Sequence, residues 1–305
     1  MNGMQEKIID IKKQKNAVIL AHYYQTIGIQ QIADYVGDSL ELARRAKDAK
    51  ENLIIFCGVK FMAESAKLLA PDKKVMLPKM DAGCPMADMI NPGIIKDLKK
   101  KHPGAAVVCY VNSTAETKAE CDVCCTSANA ADIVKNIDGD EIIFIPDKNL
   151  GAYAAGFVPE KKFIFVKDGG CPIHKNVTVK ETKDKRREFP NAKLAVHPEC
   201  APEIVKLADF TGSTSKIIDY CVNSKETEFI IGTEEGVVDL LKFYHPEKTY
   251  HLLSAGLICA DMKKTALGDV YDCLVNENIE NIIELPEDII KRARIPLEKM
   301  LAPKG

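Results

Sequence analysis

Three things are missing from this sequence, and each absence removes a class of function. No apolar run approaches the roughly 20 residues needed to cross a bilayer, so no membrane span is expected. The charge is nearly balanced, at a formal net -2, so there is no whole-molecule field for nucleic acid or an anionic membrane. Any anionic ligand must be held by local geometry. The N-terminal stretch MNGMQEKIIDIKKQK is charged and helix-patterned, without the apolar core or small-residue cleavage site of an export signal, which predicts a cytoplasmic protein. Ser/Gly-rich linkers and low-complexity tracts are also absent.

Cysteine, by contrast, is plentiful. Eleven is an odd number, and the cytoplasm keeps thiols reduced, so a disulfide framework explains them poorly. Some are expected to be buried structural thiols and a subset to bind metal. With 46% hydrophobic and 28% charged residues, 305 residues suffice for two or three compact units.

Apolar β-branched runs alternate with amphipathic stretches, the pattern of α/β structure with parallel strands. Strands are predicted at 17–21, 53–57, 106–111, 141–145, 163–166, 194–196 and 228–231. Aligning the chain with itself exposes a threefold repeat. AHYYQ, CYVNS and VHPEC end three strands, and ADYVGDS, CDVCCTS and ADFTGST follow each at the same distance. IIFCG, IIFIP and FIIGT come next, and MDAGCPM, KDGGCPIH and SAGLICADM close the series. His22, Tyr110 and His197 are spaced by 88 and 87 residues, as are Ser39, Ser127 and Thr214; Cys84, Cys171 and Cys259 are spaced by 87 and 88. The expected fold is three homologous parallel-sheet α/β domains around a pseudo-threefold axis. Their expected bounds are 1–88, 89–176 and 177–265, with a tail, 266–305, that returns to the first. Helices are predicted at 4–15, 94–101 and 179–189, where KETKDKRRE reads as a solvated face. The tail is predicted as helix 267–275, strand 279–285 and helix 287–300.

Closure about such an axis would gather the loops at the strand C-termini, where α/β proteins bind ligands. Cys84, Cys171 and Cys259 each lie in a glycine- or proline-bearing loop, which exposes sulfur to a ligand. Structural zinc favours local CxxC pairs and four protein ligands, whereas these three lie a domain apart. Three thiolates suit a [4Fe–4S] cluster with one iron left open, a Lewis acid for expelling water. CDVCC (121–125) could be a redox pair or half a zinc site. Without a second CxxC, it is expected to start a helix with incidental buried thiols. Cys57, Cys109, Cys200, Cys221 and Cys273 lack threefold counterparts and are read as structural.

Ser39, Ser127, Ser213 and Thr214 precede apolar-periodic stretches and are expected at helix N-caps. Three such N-termini facing one axis would form a site for carboxylate or phosphate. His22, Tyr24, Tyr110, Asn112, His197 and Glu199 follow the first strand of their units. That recurrence points to proton transfer and carbonyl polarisation. His174 is expected beside the cluster, and Phe61 and Met62 as an apolar wall.

Together with GVKFMAE, TSANA, PDKNLG, IGTEEG and MKKTAL, these motifs resemble the quinolinate synthases, the NadA family, from about Ile8 to Met300. The resemblance implies an oxygen-sensitive [4Fe–4S] cluster held by Cys84, Cys171 and Cys259. It implies condensation of iminoaspartate with dihydroxyacetone phosphate to quinolinate, releasing phosphate and water, in de novo NAD biosynthesis. An aspartate-oxidising enzyme would be the functional neighbour. Carried over by motif, Ser39, Ser127, Ser213 and Thr214 bind phosphate and carboxylates, and Tyr110, Asn112, His174 and His197 orient substrate. His22, Tyr24, His197 and Glu199 are the candidate catalytic residues, with His22 and Glu199 also touching substrate. Some members carry a CxxCxxC run at the third ligand; here LICADM has Cys259 alone. Two other readings stay open: a cluster-dependent hydro-lyase on another small dicarboxylate, and an iron–sulfur redox sensor. The ring of Ser, His, Tyr and Glu weighs against the sensor.

Overall fold

The computed structural model describes residues 3–302. Single-turn helices aside, the first unit runs α1 (Gly3–Gln14), β1 (Ala17–His22), β2 (Tyr35–Gly37), α2 (Ser39–Lys47), β3 (Leu53–Cys57), α3 (Lys60–Leu69) and β4 (Lys74–Met76). The second runs α4 (Pro92–Lys101), β5 (Ala106–Tyr110), β6 (Val123–Cys125), α5 (Ala130–Lys135), β7 (Glu141–Ile145), α6 (Lys148–Ala155) and β8 (Lys162–Phe165). The third runs α7 (Val179–Glu188), β9 (Lys193–Val196), β10 (Phe210–Thr211), α8 (Thr214–Asn223), β11 (Glu228–Gly232), α9 (Glu235–Tyr244) and β12 (Thr249–Leu252). A tail adds α10 (Leu267–Asn276) and α11 (Glu287–Leu301).

The three sheets share one connectivity: β2-β1-β3-β4, β6-β5-β7-β8 and β10-β9-β11-β12. All nine strand pairings are parallel, so the chain is α/β with three homologous parallel sheets. The central strands carry continuous apolar runs because helices cover both their faces. All six residues of β1 are buried, as are all five of β3.

The short edge strands β2, β6 and β10 lack that signal, and what holds them is an aspartate. Asp34, Asp122 and Asp209 each accept the amide N–H of the neighbouring central strand, from Ile19, Val107 and Leu194, at 2.8 Å in every case. Each aspartate also donates its own N–H to the carbonyl of the same residue, at 2.9, 3.0 and 2.8 Å. A basic residue on the leading helix reaches the same carboxylate: Lys12 at 2.8 Å, Lys99 at 3.6 Å and Arg186 at 3.1 Å. The invariant aspartate of ADY, CDV and ADF is therefore a strand clamp, repeated three times.

This clamp corrects one expectation. CDVCC does not start a helix. Asp122 draws it alongside β5, with Cys109 opposite Cys124, and Val123–Cys125 becomes β6; the helix waits until Ala130. The tail also differs: 279–285 is not a strand. A 3-10 turn at Ile279–Asn281 leads to one antiparallel bridge, Met76↔Ile282, so the segment only brushes the edge of β4. Around it, α10 buries Val270, Cys273 and Leu274 against Ile8, Ile19 and Ile55. Ala293, Leu297 and Met300 of α11 enter a core shared by the first and second units.

Candidate active site

Loops from the C-terminal ends of the strands of all three units surround one cavity of about 280 Å³. Of the residues anticipated from sequence, His22, Tyr24, Ser39, Cys84, Tyr110, Asn112, Ser127, Cys171, His174, His197, Glu199, Thr214 and Cys259 line it. Ser213 does not. It is fully buried and caps α8, its hydroxyl accepting from Lys216 N at 3.4 Å. Phe61 lines the apolar wall, but Met62 lies behind it in the core.

Ser213 caps its helix as expected, but in the first unit the cap stands one place earlier and in the second the residue before the helix is Asn129. Asp38 caps α2, accepting from Leu40 N and Glu41 N at 3.0 and 3.1 Å, which leaves Ser39 as the first helical residue. Thr126 takes the equivalent place in the second unit and accepts from Ala128 N at 3.2 Å, while Asn129 precedes α5. The side chains freed from capping, Ser39, Ser127 and Thr214, face the cavity. No Lys or Arg is among its described lining residues. An anion there would be met by hydroxyls, imidazoles and the positive ends of α2 and α8. Asp38 also borders the space, but its charge is spent on the two cap amides and on Ser215, whose hydroxyl donates at 2.7 Å. Asn112 Oδ1 is buried without a protein partner, so it is open to a ligand donor.

Opposite lies a hydrogen-bonded chain. His174 Nδ1 stands 2.7 Å from Glu199 Oε2, both side chains almost fully buried. With Nδ1 donating to the carboxylate, His174 turns Nε2 to the Thr233 hydroxyl at 3.0 Å. Tyr24 Oη is 2.8 Å from Thr233 Oγ1 and 3.0 Å from Thr214 Oγ1. His22 Nδ1 accepts from Tyr24 N at 3.1 Å, and His197 Nδ1 from Glu199 N at 3.3 Å. The His22 ring is thereby held with its proton on Nε2, while His197 Nδ1 also stands 3.4 Å from Glu199 Oε2. Thr233 and Asp38 escaped the sequence reading. The counterparts of Thr233 are Gly58 and Pro146, so the repeat conceals its hydroxyl.

Burial sets the proton affinities. Desolvation pushes His22 down to about 4, chiefly against the opposing charge of Asp38, and lowers His197 as well. Burial and the Glu199 charge raise the Tyr24 and Tyr110 phenols well above their ordinary value. Burial also works against the Glu199 charge, yet His197 and His174 together hold this carboxyl well below the usual range. The site therefore contains a carboxylate acceptor and phenol donors.

The three cysteines sit in equivalent loops. Burial pushes the Cys84 thiol up to about 12 and raises Cys171 and Cys259, so metal binding must displace their protons. Among the described residues, the one group of three ligand-type side chains gathered within 4.8 Å is Cys171, His174 and Glu199, already joined as a hydrogen-bonded set. The three sulfurs are not gathered within 4.8 Å as the ligands of a single ion would be, yet Cys84 feels the charge of Cys259, and Cys171 that of Cys84. That donor set fits a polynuclear iron–sulfur cluster better than a mononuclear metal. Gly169 serves the Cys171 loop, since a Cβ there would lie 1.9 Å from the Pro146 carbonyl oxygen. Cys109, Cys121, Cys124 and Cys125 do not line the cavity.

Comparison with known proteins agrees. The family model described as quinolinate synthetase A protein matches residues 6–302. A quinolinate synthase of Pelobacter propionicus is 50% identical over 301 residues, covering 99% of this chain and 98% of its own. One from Caldicellulosiruptor bescii is 49% identical over 298 residues, 98% and 97% of the two chains. One from Clostridioides difficile is 50% identical over 288 residues, 94% and 93%. By its repeat, its cavity and these matches, the chain belongs to the quinolinate synthetase A family.

Proposed function

We propose that this protein is a quinolinate synthase of the cytoplasm, condensing iminoaspartate with dihydroxyacetone phosphate in de novo NAD biosynthesis. The observation that carries the proposal is the convergence of three loop cysteines and the Glu199–His174–Thr233–Tyr24 chain on one cavity. Domains 1–88, 89–176 and 177–265 would each supply one cluster ligand, with 266–305 completing the first. Cys84, Cys171 and Cys259 would hold a [4Fe–4S] cluster, which when bound supplies an open iron as Lewis acid toward a substrate oxygen.

The chain's own residues then divide the remaining work. Ser39, Ser127 and Thr214, at or near helix N-termini, receive the phosphate and carboxylates. Tyr110 and Asn112 orient the substrate, with Asn112 Oδ1 accepting a substrate donor. Glu199, held as a carboxylate, takes a proton from substrate carbon or nitrogen. Tyr24, held as a phenol, donates to departing oxygen. The Thr233 hydroxyl can reverse direction, so protons pass between Tyr24 and His174 without water entering. His22, with Nε2–H available, and His197 polarise carbonyl oxygen. Phe61 and Val59 keep that side of the cavity dry, which strengthens each of these interactions.

The test is anaerobic reconstitution with iron and sulfide, followed by assay with the two named substrates. A brown protein that forms quinolinate is expected. An intact cluster with no quinolinate formed refutes the assignment.

A further inference from the structure

Two residues past the end of the third strand of each unit stand Val59, Asp147 and Glu234. Asp147 and Glu234 are fully buried. One oxygen of Asp147 caps α6, accepting from Asn149 N and Leu150 N at 2.8 Å each, and the other accepts from Cys171 N at 2.9 Å. Glu234 repeats the arrangement: Oε2 accepts from Gly236 N at 2.8 Å and Oε1 from Cys259 N at 3.2 Å. All three loops also share one backbone bond, from Lys60 N to Ala82 O, Lys148 N to Gly169 O and Glu235 N to Leu257 O, at 2.8, 3.3 and 2.8 Å. The first unit has no carboxylate tether of this kind among the described residues; its loop is met at Asp81, whose carbonyl accepts from Lys264 Nζ at 2.5 Å. The Val59 side chain offers no acceptor, and the Cys84 amide has no protein partner among the described residues.

We propose that Asp147 and Glu234 are positioning residues that lock Cys171 and Cys259 for the cluster through their backbone N–H groups, leaving Cys84 as the adjustable ligand. This rests on the cluster reading above. A carboxylate is required because both oxygens accept at once. Asn or Gln has a single acceptor oxygen and would turn an NH₂ toward an N–H donor, losing either the helix cap or the cysteine. The two tethers also differ in wiring. Lys263 Nζ lies 3.0 Å from Glu234 and donates to Tyr24 O at 2.7 Å, so the Cys259 loop is joined to the backbone of a candidate catalytic residue. No cation is paired with Asp147 among the described residues. Outer partners of metal ligands typically alter metal retention 10–100-fold when removed.

The experiment uses the full-length, anaerobically loaded protein and two variants, Asp147→Asn and Glu234→Gln. Residue-resolved hydrogen exchange should quicken about tenfold or more at the Cys171 amide in the first and at Cys259 in the second, each leaving the other amide unchanged. Iron release to a ferrous chelator should be roughly 10–100 times faster in both, with an altered EPR signal of the reduced cluster. Asn91→Ala, which removes the cap that Asn91 gives Ile94 N at 3.1 Å on α4, serves as the control and should release iron at the wild-type rate. Either variant alone suffices should the other misfold. Wild-type exchange and iron release in folded variants overturn the positioning role alone. A wild-type protein that takes up no cluster overturns this inference together with the proposed function.

Discussion

Replacing Thr233 with Val tests the proton chain with almost no change of shape. Thr233 is fully buried, and among the described residues its hydroxyl is the one bridge between Tyr24 and His174. In Thr233→Val, Tyr24 keeps Thr214 at 3.0 Å, but His174 Nε2 loses its partner in a dry site. One orphaned buried polar atom costs about 1–3 kcal/mol. In a chain of 305 residues that lowers the melting temperature by roughly 1.5 °C per kcal/mol. The catalytic consequence should be larger, because a lost proton-transfer path typically costs about 10²–10⁴-fold. The assay is quinolinate formation by the loaded enzyme across pH, with thermal unfolding alongside. Thr233→Ser restores the hydroxyl and should recover most of the rate; Thr233→Val should not. A Thr233→Val enzyme with wild-type kcat and an unchanged pH profile would refute the relay, whatever its stability.

Three further outcomes follow from the same geometry. Cys171→Ser should lose the brown colour, the bound iron and the activity together; retention of a normal cluster by anaerobic iron analysis contradicts the ligand assignment. Below neutrality the cluster-free protein should weaken. The His22 pKa of about 4 when folded lies below 6.5 when unfolded; its stabilising contribution is full above pH 6.5 and is lost as pH falls toward 4. The 2.5-unit gap amounts to about 3 kcal/mol, and acid unfolding curves of His22→Asn should be flatter over that window. Asp122→Ala strips the acceptor from the buried Val107 amide and should cost about 1–3 kcal/mol. Lys99→Ala, which removes only the half-exposed ion pair at 3.6 Å, should cost under about 1 kcal/mol. Equal losses in denaturant melts would contradict this division.

The architecture could be read from the sequence because selection kept the spacing as well as the residue types. Four landmarks at 87- and 88-residue intervals needed no structure to interpret. The long central strands were visible because both faces are buried, giving unbroken apolar runs. The two- and three-residue edge strands were not, since they are defined by a clamp from Asp34, Asp122 or Asp209 whose partner lies 15 residues earlier. Cysteines, histidines and tyrosines announced themselves by chemistry and recurrence. Thr233, Asp147 and Glu234 did not, because their counterparts elsewhere in the repeat include Gly58, Pro146 and Val59. Repeat comparison finds what the units share, and these residues belong to what differs. The capping error had a local cause: a serine before an apolar stretch is a good cap, but Asp38 beside Ser39 is an equally good one, and only the backbone decides.

The tail has a consequence for how the molecule is made. The first unit receives its edge partner at Val75 and Met76 from Ile282 and Ile283, and the covering of α1 comes from α10. Those partners leave the ribosome roughly 200 residues behind β4, a delay of about 10–40 s at ordinary elongation rates. The second unit also takes α11 against its edge strand β6, so both of the units translated earlier are finished by the tail. A nascent chain released before α11 would expose the apolar faces that Leu297 and Met300 cover at the junction of the first two units. Loss of even this helix should therefore be felt in the cores of the first two units as well as at the C-terminus.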